Sequence, residues 1–163
     1  MSKKKAKPKF IVVQDTREQQ GYHFTESEFC DGMVRKALPT GDYAIQGFEN
    51  LLVVERKKST AELYKNIFES RFERELDRLL KYRYRVLLLE FSWVDVMFFP
   101  TNSGIPKAKW PEVSKRQRLF QRRVLEIQMR GIHVVYAGNA YNAQEYLLHL
   151  FKIMNEKFIY EQS

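Results

Sequence analysis

Apolar positions along the chain follow two periods: short β-branched or leucine-rich runs alternate with stretches where apolar residues recur every three to four positions. The first run, Phe10-Ile11-Val12-Val13, ends in Asp15-Thr16-Arg17-Glu18 and predicts a buried strand delivering polar residues at its C-terminal end. Residues 19–37 are weakly patterned and support only a short helix or a loop. Gly41 to Gln46 and Leu51 to Lys57 are β-like runs separated by Gly47-Phe48-Glu49-Asn50, which is a hairpin signal. Ser59 followed by Glu62 fits a capping box. Leu63, Ile67, Phe72, Leu76, Leu79 and Leu80 then lie at helical spacing, with a slip at Glu69 to Arg71 that predicts a kink or two abutting helices. Arg85 to Phe91 is too continuously apolar to be half exposed and reads as an interior strand. Gly104, Pro106 and Pro111 mark a loop over 101–111, and Ser114 with Gln117 suggests a second capping box opening a helix to Arg130. Ile132 to Ala137 predicts a last strand, and a last helix starts near Asn142. Strands alternating with helices, plus one early hairpin, give an α/β domain with a mixed central β-sheet flanked by helices.

The hairpin carries the most chemistry. With its turn centred between Phe48 and Glu49, Asp42 lies opposite Glu55, and Lys57 projects from the same face while Arg56 points the other way. Opposed carboxylates repel unless a hard, oxygen-preferring cation such as Mg²⁺ lies between them. Such an ion keeps water ligands, and with a nearby ammonium it stabilises charge developing at phosphorus. The same residues also suit a solvated hairpin edge, and a one-residue slip of register would separate them.

Charge changes the picture only once it is mapped. The 163 residues carry a net charge of +8, whose usual partner is a polyanion. Five lysines lie between Lys3 and Lys9, a tail expected to be disordered over residues 1–9, before a domain over 10–163. From Lys107 to Arg123 seven basic residues face a single acid, Glu112, so the rest of the chain is mildly acidic. That second stripe, including Lys115, Arg116 and Arg122, suits a wall that tracks phosphates and equally a solvated face. The longest plain apolar run is Val86 to Leu89, no apolar stretch follows the N-terminal lysines, and Cys30 is the one cysteine. These features point to an intracellular protein (cytoplasmic, nucleoid or nuclear) without a membrane partner. His23, His133 and His149 show no ligand spacing, and His133 reads as packed in its strand.

Asp15-Thr16-Arg17-Glu18, Gly41-Asp42-Tyr43 and Val54-Glu55-Arg56-Lys57 resemble, in order, the D-x-R-E, G-D and E-R-K-x-x-x-D signature of the XPF-type structure-specific DNA endonucleases. The resemblance extends over roughly residues 10–157 and implies a restriction-endonuclease-like core cutting branched or flapped DNA in repair or recombination. It makes Asp42 and Glu55 the principal Mg²⁺ or Mn²⁺ ligands, Lys57 the catalytic lysine and Asp15 a further catalytic acid and metal ligand of the site. Arg17 and Arg56 would contact phosphate or hold the acids, Glu18 would ligate or orient, and Arg71 would contact the DNA backbone. The family's last aspartate falls on Ala61, beside Glu62, which would have to substitute. No tandem helix-hairpin-helix module follows, so substrate engagement is expected from the nuclease domain itself, a homodimer or heterodimer partner, or another chain such as a helicase. The alternative is a catalytically weak or inactive DNA-binding scaffold working as partner of another nuclease or a helicase.

Overall fold

A computed structural model describes residues 5–163. The first four residues of the expected basic tail lie outside them. In the remainder of the tail, Lys7 pairs with Glu156 at 3.7 Å and the Asn155 side chain donates to the Pro8 carbonyl at 3.3 Å.

Six strands form one mixed sheet: β1 (Phe10–Gln14), β2 (Cys30–Arg35), β3 (Tyr43–Ile45), β4 (Leu52–Lys57), β5 (Tyr84–Leu89) and β6 (His133–Tyr136). Their order is β2-β1-β3-β4-β5-β6. The hairpin β3–β4 and the β1–β3 pair are antiparallel, and the other neighbours are parallel. Helices α1 (Thr60–Ile67), α2 (Ser70–Leu79) and α5 (Gln117–Met129) cover one face, and α6 (Ala140–Gln162) covers the other. Two short helices, α3 (Trp93–Met97) and α4 (Trp110–Ser114), lie in the β5–α5 connection.

The apolar side chains of β4 face two cores alternately, because the sheet is covered on both sides. Leu52 and Val54 join Tyr43, Val86, Leu88, Leu147, Phe151 and Phe158 beneath α6. Val53 joins Leu63, Phe72, Leu76, Leu87, Leu89 and Phe120 beneath α1, α2 and α5. This double burial is why β5 lacks polar alternation, and Leu87→Ala would cost about 2–5 kcal/mol.

Four expectations need correction. Residues 19–37 contain a strand, β2, whose polar residues Asp31 and Arg35 are exposed because it is an edge strand with one hydrogen-bonded neighbour. Ser114 does not cap the long helix. It closes α4, and α5 begins at Gln117 after Arg116, which makes no side-chain cap. In the first capping box Ser59 accepts from the Glu62 amide, whereas the Glu62 carboxylate accepts from the Lys58 amide rather than that of Ser59. His133 is exposed at the start of the edge strand β6. Among the described residues, no helix is long and apolar enough to cross a membrane.

Candidate active site

Gln14 pairs with Tyr43, and Tyr43 with Val54. Just past these pairs Asp15, Asp42 and Glu55 line one cleft, a row of carboxylates across the ends of β1, β3 and β4. The backbone closes the row: the Asp15 amide donates to the Asp42 carbonyl, and the Asp42 amide to the Val54 carbonyl, both at 2.8 Å. The Arg56 amide donates to Asp42 Oδ2 at 2.8 Å, which fixes that carboxylate at the mouth of the hairpin. Gly41 precedes it with φ +82°, and a Cβ there would stand 2.3 Å from Val53 Cγ2. Glycine is therefore required both by conformation and by space.

Lys57 Nζ lies 3.3 Å from Glu55 Oε1, 4.0 Å from Glu62 Oε1 and 5.1 Å above the Phe72 ring. Together with Arg17, Glu18 and Glu75, the row lines a polar cleft of about 150 Å³. Burial pushes the Asp42 carboxyl up to about 6, with the charges of Glu18 and Glu75 adding to it against the Arg56 amide and Lys57. Burial, then the Asp42 charge, raises Glu55 well above the usual carboxylate range. Lys57 is raised too: burial opposes this, but Glu55, Glu75, Glu62 and Asp42 outweigh it. Negative charge is thus crowded around one ammonium.

The other expected residues divide by what they touch. Asp15 is buried; Oδ1 accepts from the Leu38 amide at 2.8 Å and Oδ2 from Arg17 Nε at 2.7 Å. Burial alone would raise Asp15, but these bonds hold it below the usual value. Arg17, 70% exposed, stands at the rim and also donates to the Leu38 carbonyl. Arg56 lies behind the site, on the α6 side of the sheet, hydrogen-bonded to Glu90 and the Gln20 carbonyl, 3.7 Å from Glu18 and 4.1 Å over the Tyr22 ring. It holds Glu90 and Glu18 there. Glu18 stands between Arg56 and Lys58, 3.4 Å from the latter. Arg71 is exposed at the start of α2. Lys115, Arg116 and Arg122 lie on α4–α5 and do not line the cleft; Arg122 is paired with Glu126, and Arg116 stacks on Phe68.

A model of the ERCC4 domain matches residues 14–150, most of the chain. The chain belongs to the ERCC4 domain family. Among solved structures it is similar to XPF from Aeropyrum pernix, at 19% identity and a TM-score of 0.63 over 89% of this chain and 65% of that one. A second structure of that protein, in complex with DNA, matches at 20% identity and a TM-score of 0.65 over 91% of this chain and 66% of that one. The chain therefore spans just under two thirds of the XPF chain, and the mixed sheet flanked by helices is the XPF nuclease-like fold. A search of curated proteins returns no match.

Two features of this ERCC4 domain escape the motif pattern. Glu75 reaches the cleft from α2, three residues after the Phe72 on which Lys57 rests. Its neighbours Glu73 and Asp77 pair with Arg130, whereas Glu75 makes no ion pair among the described residues. No spacing in the sequence signals it; it becomes legible only once Phe72 is known to pack beneath Lys57. The second feature extends the expected Arg71 into a row of exposed cations, with Arg74, Arg78 and Lys81 at helical spacing on and just past α2, also without ion pairs among the described residues. Among those residues no three His, Cys, Asp or Glu side chains form a ready-made metal cage. A Mg²⁺-type ion does not need one, since it is held by one or two carboxylates plus water and substrate phosphate. Asp42 and Glu55, two hard donors that repel each other, fit that requirement.

Proposed function

We propose that this ERCC4 domain is a metal-dependent DNA endonuclease hydrolysing phosphodiester bonds in branched or flapped DNA during repair or recombination. The observation that supports this reading is that Asp42 and Glu55 line one cleft, with the Lys57 ammonium 3.3 Å from Glu55. Asp42 and Glu55 hold Mg²⁺ or Mn²⁺, with Glu75 as a third carboxylate at the cleft wall. A bound Mg²⁺ or Mn²⁺ supplies Lewis-acid polarisation of the phosphate and a water of lowered pKa. Lys57, kept protonated by the acids around it, offers its ammonium to the negative charge that develops on the phosphoryl oxygens. Asp15 holds Arg17 at the rim, where the guanidinium meets the substrate backbone, and Arg71 does the same from α2. Glu62, beside Ala61, keeps a carboxylate near Lys57 where the family signature has its aspartate. The whole-protein context, including a dimer partner or a helicase, belongs to the same proposal, as does an intracellular location.

The test is cleavage of labelled fork, flap, junction and linear DNA in Mg²⁺ against EDTA. Metal-dependent product is expected from the parent, with Asp42→Asn and Glu55→Gln each losing at least 100-fold in rate while retaining DNA binding (about the loss seen when one transition-state contact is removed). Undiminished cutting by both variants overturns the site. Binding with no metal-dependent product from the parent establishes the scaffold alternative instead.

A further inference from the structure

The cleft does not end at its carboxylates. Pro39, Thr40 and Arg78 line both the cleft and a second, larger groove of about 420 Å³ that continues along the C-terminal end of α2 to Lys81 and Tyr82, with Asn50 on its far side. The groove is within the range of small-ligand sites, roughly 300–1,000 Å³. Its walls are mostly apolar, yet two exposed cations, Arg78 and Lys81, stand on its rim with no ion pair among the described residues. The one acid on the wall, Glu49, is already engaged, by Lys36 at 3.4 Å and by the Gly47 amide at 2.9 Å. Tyr82 is half-buried, its ring packed against the core beneath α2, so it presents a fixed aromatic surface rather than a mobile one.

An apolar slot with an aromatic wall and unpaired cations at its edge is complementary to a nucleotide: base against the ring, phosphate against the cations. A paired base could not use it, because its faces are stacked within the helix and only its groove edges and the backbone are offered. We propose that the Tyr82 groove is a subsite for an unpaired nucleotide of the DNA strand that passes through the cleft, placed on the α2 side of the scissile phosphate. This rests on the nuclease reading and adds to it a reason for preferring substrates with a single-stranded segment. Arg78, shared by groove and cleft, would hold the phosphate where the strand crosses between them.

Binding in EDTA separates this from catalysis. Fluorescence anisotropy with the full chain compares a flapped duplex, its fully paired counterpart and a single strand of the same sequence. The parent is expected to bind the flapped and single-stranded probes more tightly than the paired one. Tyr82→Ala should weaken the first two about tenfold and leave paired DNA unchanged, with Tyr82→Phe restoring binding. Arg78→Ala/Lys81→Ala changes only exposed side chains and should produce the same selective loss if Tyr82→Ala fails to fold. A 5-iodouracil placed in the unpaired segment should photocrosslink to the peptide containing Tyr82. Equal losses on paired and unpaired probes, no loss in either variant, or crosslinks confined to other peptides would overturn the subsite while leaving metal-dependent cleavage standing. Selective losses with no cleavage by the parent would preserve the subsite and remove the nuclease.

Discussion

Glu55 and Arg56 are consecutive residues of one strand, yet their side chains belong to polar networks on opposite faces of the sheet, which meet only at Glu18 on the rim. On the α6 side every charge around Arg56 is matched. Its guanidinium meets Glu90 and the Gln20 carbonyl, and the Tyr22 hydroxyl donates to the same Glu90 at 2.6 Å. The Glu90 bond raises Arg56 against the effect of burial, and burial with the Glu90 contact raises Tyr22. On the other side Asp42, Glu55, Glu75 and Glu62 surround the single ammonium of Lys57, and both Asp42 and Glu55 resist ionisation. The first network is complete without a ligand and acts as scaffold. The second is deficient in positive charge, which the proposed metal would supply.

Removing one member of each network should therefore have opposite effects. Arg56→Met leaves Glu90 buried beside an uncompensated space and should destabilise the fold by about 3–5 kcal/mol, read by chemical denaturation. Asp42→Asn should stabilise the metal-free protein. Because the folded carboxyl titrates near 6 and the unfolded one near 4, the folded state binds the extra proton in that window, and stability falls as pH rises through it. The parent should lose about 2 kcal/mol between pH 4 and pH 7 that the variant keeps, a difference of about 4–8 °C in Tm at pH 7 that closes by pH 4. Added Mg²⁺ should raise the Tm of the parent and not of the variant. The smallest effect concerns the two basic stripes. Arg74→Ala should lower the slope of log binding constant against log salt by about 1, whereas Arg122→Ala, already paired with Glu126, should change it much less.

The hairpin was legible because its register follows from turn position and parity, and both survive folding. Tyr43 opposite Val54 is the pairing that the centred turn requires. The helix break at Glu69 was legible too, since the apolar stripe loses phase there and α1 ends at Ile67 before α2 begins at Ser70. β2 was not: Cys-Asp-Gly-Met-Val-Arg reads as strand only beside β1, because an edge position removes the need for an apolar face. Glu75 was hidden for another reason. Its role comes from α2 packing over the end of β4, a tertiary relation that no spacing within the helix reports. Arg56 was placed on the correct face by parity, but only the structure shows that Glu90 and Tyr22 wait there for it.

Gly41 has a consequence for how this domain would appear in a mutational survey. It carries no functional group, yet any side chain added there pushes into Val53, which belongs to the core beneath α1, α2 and α5. Loss of cutting at position 41 would look like loss of a catalytic group when it is loss of a shape. Inactivity and misfolding coincide at this residue, and only a variant library scored separately for abundance and for turnover would tell Gly41 from the Asp42 beside it.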